Sequence, residues 1–136
     1  MRMTQSHQLL HPRAWKQPKG FVNGIAAEGR MIFVAGQVGW NAEQTFESDD
    51  FVAQAHQALQ NVVAIVGEAG GRPEHIARLT WFVLDKREYL SRLRELGAAY
   101  RSVMSRHFPA MTLVQVGALV EERAKVEIEA TAVLPK

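Results

Sequence analysis

Apolar residues recur along this chain with two different periods, and the switches between them mark out the elements. The first twenty residues are mostly polar and carry Pro12 and Pro18, which predicts irregular chain or a short edge strand. Phe21–Ala27 and Met31–Ala35 follow as apolar segments. Glu28-Gly29 between them predicts a tight turn and a hairpin, with Asn23-Gly24 as a competing turn signal. From Ser48 to Ala69 the period becomes helical. Phe51, Ala55, Ala58, Leu59, Val62, Ile65, Val66 and Ala69 fall on one face. Ser48 or Asp49 caps the start, and Gly70-Gly71 with Pro73 stops it.

Ile76–Leu84 carries β-branched and aromatic residues at strand density and predicts a largely buried strand. A second helix begins at Asp85, with Glu88 placed as in a capping box. Its stripe is Tyr89, Leu93, Leu96, Tyr100, Val103 and Met104, and Gly97 within it predicts close packing. Thr112–Leu119 and Lys125–Val133 predict two more strands. The last alternates cleanly: Val126, Ile128, Ala130 and Ala132 face one way, Lys125, Glu127, Glu129 and Thr131 the other. The order is β-β-α-β-α-β-β, an α+β arrangement with two helices on one face of a sheet. The other face then needs cover from another chain, which predicts an oligomer.

Composition narrows the function classes. At 136 residues and 15.2 kDa the chain is expected to be a single domain over 1–136. Hydrophobic residues at 47% exclude disorder as the main state. The formal charge of +2 is too small to predict a nucleic-acid partner, although the pI of about 9.2 leaves room for one. The absence of cysteine excludes disulfides, zinc–thiolate sites and cysteine nucleophiles. No stretch has the length of a signal-peptide core, and the longest apolar runs are five residues, Met31–Ala35 and Val62–Val66. A cytoplasmic protein with no membrane partner is the expectation.

The candidate chemistry has plain alternatives. Glu127 and Glu129 form a polar row; covered by a second subunit, such a carboxylate has a raised pKa and acts as a general base. Uncovered, it is a solvated strand face with Lys125 beside it. His7, His11, His56, His75 and His107 show no ligand spacing on a helix, and there is no HExxH, so no metal is expected. Ser6, Ser48, Ser91, Ser102 and Ser105 lie outside any GxSxG, which leaves a serine triad without support. Arg87, Arg92, Arg94, Arg101 and Arg106 are interleaved with Glu88 and Glu95 and read as a solvated face. One of them remains suited to a substrate carboxylate. The glycines match neither a P-loop nor a dinucleotide fingerprint. Trp81 reads as core.

Three stretches then carry a resemblance: IFVAGQVGW (Ile32–Trp40), FVAQAHQALQNVVAIVGEAGG (Phe51–Gly71) and FPAMTLVQVGALVEERAKVEIEATAV (Phe108–Val133). The chain from about Phe21 to Val133 resembles the RidA/YjgF family of enamine and imine deaminases. The resemblance implies a chorismate-mutase-like fold with a mixed sheet, a homotrimer with clefts between neighbours, a small metabolite as partner, and no cofactor.

It also implies departures. In the active deaminases an arginine two residues after a proline clamps the substrate carboxylate; here that position is Met111, which cannot donate a hydrogen bond. Losing such a contact costs about 1.5–3 kcal/mol. The family's aromatic hydroxyl corresponds to Phe21 and its serine before Gly-Gln to Ala35, while its helix asparagine falls at or beside Arg94. Glu127, Gly36 and Gln37 are unchanged.

The implied reading is a divergent deaminase. Glu127 is its catalytic residue, and Phe21, Ala35, Gly36, Gln37, Arg94 and Met111 line a more apolar cleft. The alternative is a metabolite-binding or regulatory trimer without turnover. An endoribonuclease or translation inhibitor is a third reading, and the near-neutral charge argues against it.

Overall fold

The computed structural model describes residues 7–136; the first six residues, Ser6 among them, lie outside the described residues. In chain order the elements are β1 (His7–Leu10), β2 (Gly24–Ala27), β3 (Arg30–Val38), α1 (Phe51–Glu68), a 3₁₀ turn at Pro73–His75, β4 (Ile76–Val83), α2 (Lys86–Ser91), α3 (Leu93–Met104), β5 (Ala110–Gln115) and β6 (Val126–Leu134). Four strands form a mixed sheet in the order β3-β6-β4-β5. Its β4–β5 pair is parallel, with α2 and α3 as the crossover, and its other pairs are antiparallel. The helices lie on one face, as the sequence predicts.

The alternation along β6 explains why. Val126, Ile128, Ala130 and Ala132 are buried together with Leu79, Trp81 and Val83 of β4. The α1 stripe and Leu96, Tyr100 and Met104 of α3 pack on them. Tyr100 stacks on Phe108 at 5.3 Å between ring centres, and its hydroxyl donates to the His107 carbonyl at 2.6 Å.

Three expectations change. The hairpin does not form, because β2 pairs antiparallel with β1 rather than β3. Gly29 has φ +146°, outside the values of a two-residue hairpin turn, and its Cα lies against the Leu134 carbonyl with no room for a Cβ. The segment before β2 reaches the β5 edge, where Val22 bridges Ala110. The second helix is divided at Arg92, where the backbone leaves helical values (φ −125°, ψ 28°). Here Arg92 donates to Asp50 Oδ1 at 2.6 Å and grips both carboxylate oxygens of Glu95. The sheet therefore carries three helices, not two. The first helix is capped by Asp50, whose Oδ2 accepts from the Ala53 N–H, rather than by Ser48 or Asp49.

Two polar side chains on α1 position the strand ends that matter for the site. Asn61 Nδ2 donates to the Val38 and Trp40 carbonyls at 3.1 and 2.8 Å, fixing the exit of β3. Gln54 is 1% exposed. Its Nε2 donates to the Ser48 and Arg123 carbonyls and its Oε1 accepts from the Lys125 N–H at 2.8 Å, fixing the entry to β6.

Candidate functional site

The candidate residues fall into two groups on opposite faces of the sheet. The first is on the face away from the helices. Between Val34 and Gln37 the register of β3 slips against β6: Val34 pairs with Ala130, while Gln37 pairs with Ile128. The slip is a bulge at Ala35 and Gly36. The Glu127 side chain lies directly over it, so that a Cβ on Gly36 would collide with the carboxylate. Glu127 is half-buried, and its strand neighbours in register are Val38 and Phe82. Gln37 turns its amide back to donate to the Ala35 carbonyl at 3.0 Å. Gly36, Gln37 and Glu127 are thus brought together, with Ala35 exposed beside them. Glu129, the second carboxylate of the row, is exposed further along β6.

The second group is at the β5 edge. Met111 is half-buried and in register with Leu79, on the helix-facing side, and it lines a cavity between that sheet edge and helices α2 and α3. Phe21 is exposed and next to Val22, whose N–H donates to the Pro109 carbonyl at 3.4 Å. Phe21 therefore belongs with the Met111 edge and not with Glu127. Arg94 is exposed and does not line the cavity; its neighbour Leu93 does. An anchoring role for Arg94 at Met111 has no geometric support within one chain. Arg101 is the arginine on the cavity lining, and its Nη1 would lie 3.2 Å from a Cβ on Gly97. Gly97 thus makes room for that guanidinium, rather than for another element.

The remaining polar candidates have other partners. His56 Nε2 lies 3.1 Å from Ser102 Oγ, but that hydroxyl donates to the Ala99 carbonyl at 2.7 Å. The serine proton therefore points away from the imidazole, which is not how a nucleophile is activated. His107 is half-buried after α3, with Nε2 2.7 Å from the Ile76 carbonyl, and burial holds its pKa below the usual 6.5. Asp50 is held below the ordinary carboxylate range, first by the hydrogen bond from Arg92 and then by the Ala53 N–H. Among the described residues no group of histidines and carboxylates is placed to hold a metal ion. No helix among them is long and apolar enough to cross a membrane.

Sequence reasoning missed Trp81 and Leu93 as cavity residues and Gln54 and Asn61 as supports. Gln54 carried a signal, a polar residue three positions after Phe51 on the apolar stripe. Gln57 Nε2 donates to Asn61 Oδ1 at 2.9 Å and so holds the Asn61 amide toward the Val38 and Trp40 carbonyls.

The family described as Endoribonuclease L-PSP matches residues 13–134. The 2-iminobutanoate/2-iminopropanoate deaminase of Escherichia coli is 36% identical over 116 residues, 83% of this chain and 86% of that one. A RutC family protein of Pasteurella multocida is 35% identical over 105 residues, 77% of this chain and 81% of that one. Among solved structures, the conserved Rid family protein YyfB from Yersinia pestis superposes with a TM-score of 0.83 at 29% identity, over 95% of this chain and 99% of that one. The YjgF gene product of Escherichia coli superposes at 0.65 with 36% identity, over 85% and 88%. A family match across residues 13–134, joined to relatives above 30% identity on the same fold, makes this chain a member of the RidA/YjgF family.

Proposed function

We propose that this chain is an imine deaminase acting in a cleft between neighbouring copies of a homotrimer, on a metabolite more apolar than the substrates in its relatives' names. The observation that carries the reading is the seat of Glu127 on Gly36. A glycine bulge there gives the carboxylate a fixed place on an otherwise exposed sheet face. Met31 and Phe33 on that face are 56% and 74% exposed, an apolar surface suited to cover by a second copy. Glu127 and Met111 lie on opposite faces of one chain, so a cleft holding both needs two copies.

In the proposed reaction Glu127 takes a proton from water as the water oxygen bonds to the C=N carbon, and delivers that proton to the nitrogen. The carbinolamine then collapses: the C–N bond breaks, the hydroxyl proton passes by way of Glu127 to the nitrogen, and ammonia and a carbonyl leave. An imine and one water are consumed in balance. The backbone of Ala35–Gln37 orients the substrate, and Phe21 and Met111 present an apolar wall in place of a polar clamp.

The test generates imines from a panel of amino acids with an amino-acid oxidase and traps the remainder with semicarbazide. Wild type removes imines of apolar amino acids faster than buffer does, and Glu127→Ala does not. Equal rates for the two proteins would sink the reading.

A second reading, a binding protein without turnover, draws on Met111 in the place of the clamping arginine. Saturable binding of such a metabolite without a carbonyl product by mass spectrometry would support it.

A further inference from the structure

The cavity at the β5 edge has a chemistry of its own. Its volume is about 120 Å³. An engineered apolar cavity of about 150 Å³ accommodates benzene, so this one is of the scale of a single ring or a branched chain. Its walls are largely apolar and include Leu93, Leu96, Phe108, Met111 and Leu113. Trp81, on the same lining, is 2% exposed, and among the described residues its indole N–H has no acceptor. A buried donor without a partner is uncommon and costly, and an indole can only donate. The N–H is closed off from the free space of the cavity, so what completes it must bring an acceptor and shift a neighbouring side chain to reach it.

The other polar groups on the lining narrow the charge of that acceptor. The Tyr100 hydroxyl already donates to the His107 carbonyl. Tyr89 is half-buried, and Arg101 is exposed, with its guanidinium over Gly97 at the rim. An anion carried past Leu93 to Trp81 would lose its hydration among apolar side chains, with the cation left outside.

We infer that this cavity binds a neutral, ring-sized apolar group carrying one hydrogen-bond acceptor, which takes the Trp81 indole N–H. The inference rests on the deaminase reading only for its physiological ligand: an imine or enamine whose side chain is such a group. Within one chain Glu127 faces the other side of the sheet, so the seat of the ring-sized group is built without that carboxylate.

The test uses three probes of similar size: acetophenone, ethylbenzene and benzoate. The readout is the set of indole N–H resonances of the ¹⁵N-labelled protein. The chain has three tryptophans, and Trp81→Phe identifies the relevant resonance by its loss. Acetophenone should shift that resonance saturably and bind about five-fold more tightly than ethylbenzene, the scale of one net neutral hydrogen bond. Benzoate should bind weakest. Leu93→Phe, at the exposed rim, should weaken acetophenone binding, and it serves as the control should Trp81→Phe fail to fold. Absence of a saturable shift, or equal affinity for acetophenone and ethylbenzene, would overturn the inference. So would tightest binding of benzoate, which would make this an anion site served by Arg101. Wild type that binds as expected yet turns over no imine would remove the deaminase reading and leave the pocket standing.

Discussion

Glu127 occupies the space that a side chain on Gly36 would need, so the carboxylate and the β3 bulge are one structural unit. Glycine is required there by the neighbour across the strand pair and not by its own backbone angles, since Gly36 is not among the positive-φ residues. Gly36→Ala should therefore fold and yet displace Glu127. The expected result is loss of imine hydrolysis by more than about ten-fold, the usual scale of a misplaced general base, with a small change in melting temperature. Full turnover in Gly36→Ala would show that the seat of Glu127 is not part of the mechanism.

Gln54 joins α1 to the start of β6 through three backbone groups. Replacing it by methionine keeps the volume and strands the Lys125 N–H and two carbonyls. The cost should be about 2 kcal/mol or more, read as a lowered urea midpoint. Because Glu127 is two residues beyond Lys125, turnover should fall as well, at denaturant concentrations where the protein is still folded. Wild-type stability in Gln54→Met would place the strand entry under some other control.

Asp50 has two partners, the Ala53 N–H and Arg92. Asp50→Asn keeps a capping oxygen and loses the charge; Asp50→Ala loses both. The alanine variant should lose about 1 kcal/mol through the cap. The asparagine variant should lose less, because the ion pair is partly exposed and screened. Equilibrium unfolding of the two variants side by side separates the contributions, and a larger loss in Asp50→Asn than in Asp50→Ala would reverse this assignment.

Much of the fold was legible because periodicity is a local signal. The stripe from Phe51 to Val66 and the alternation from Val126 to Ala132 each repeat over several turns or residues, and tertiary context only reinforces them. The missed features are all long-range. Glu28-Gly29 has a hairpin's composition, but the pairing of β2 is decided by β1, at register positions such as His7 and Ala27. The stripe from Tyr89 to Met104 runs through Arg92 without a break, and the division there coincides with pairing to Asp50, 42 residues away. Candidate site residues were named one by one, through the resemblance. That Glu127 meets Gly36, while Met111 faces the other side, depends on a bulge and on strand register that spacing does not reveal.

Burial keeps His107 below the usual histidine pKa of 6.5, against the opposing effect of its bond to the Ile76 carbonyl, and burial does the same to His75. The folded protein then takes up these protons less readily than the unfolded chain. Stability should be full above about pH 6.5 and lost as the pH falls through the lower folded-state values. Unfolding midpoints in urea between pH 8 and pH 5 test this, and His107→Gln should flatten the dependence. A midpoint that rises as the pH falls would contradict the sign.

Met111→Arg brings back the residue type of the active deaminases, but into an environment that has changed around it. The position faces the helices, in register with Leu79, and opens on a cavity whose other arginine, Arg101, carries the same charge. A guanidinium there displaces apolar contacts and is partly desolvated, at an expected cost of about 1–3 kcal/mol in stability. It also supplies the two parallel donors that a carboxylate needs. Met111→Arg should thus gain affinity for benzoate and lose it for acetophenone. In the imine assay its preference should move toward small imino acids with a free carboxylate. Met111→Arg with Arg101→Gln should recover part of the lost stability, since the like charge is removed. A variant that gains no carboxylate preference, while remaining folded, would mean that Met111 does not face the substrate at all. The reacting group would then have to meet Glu127 from another direction.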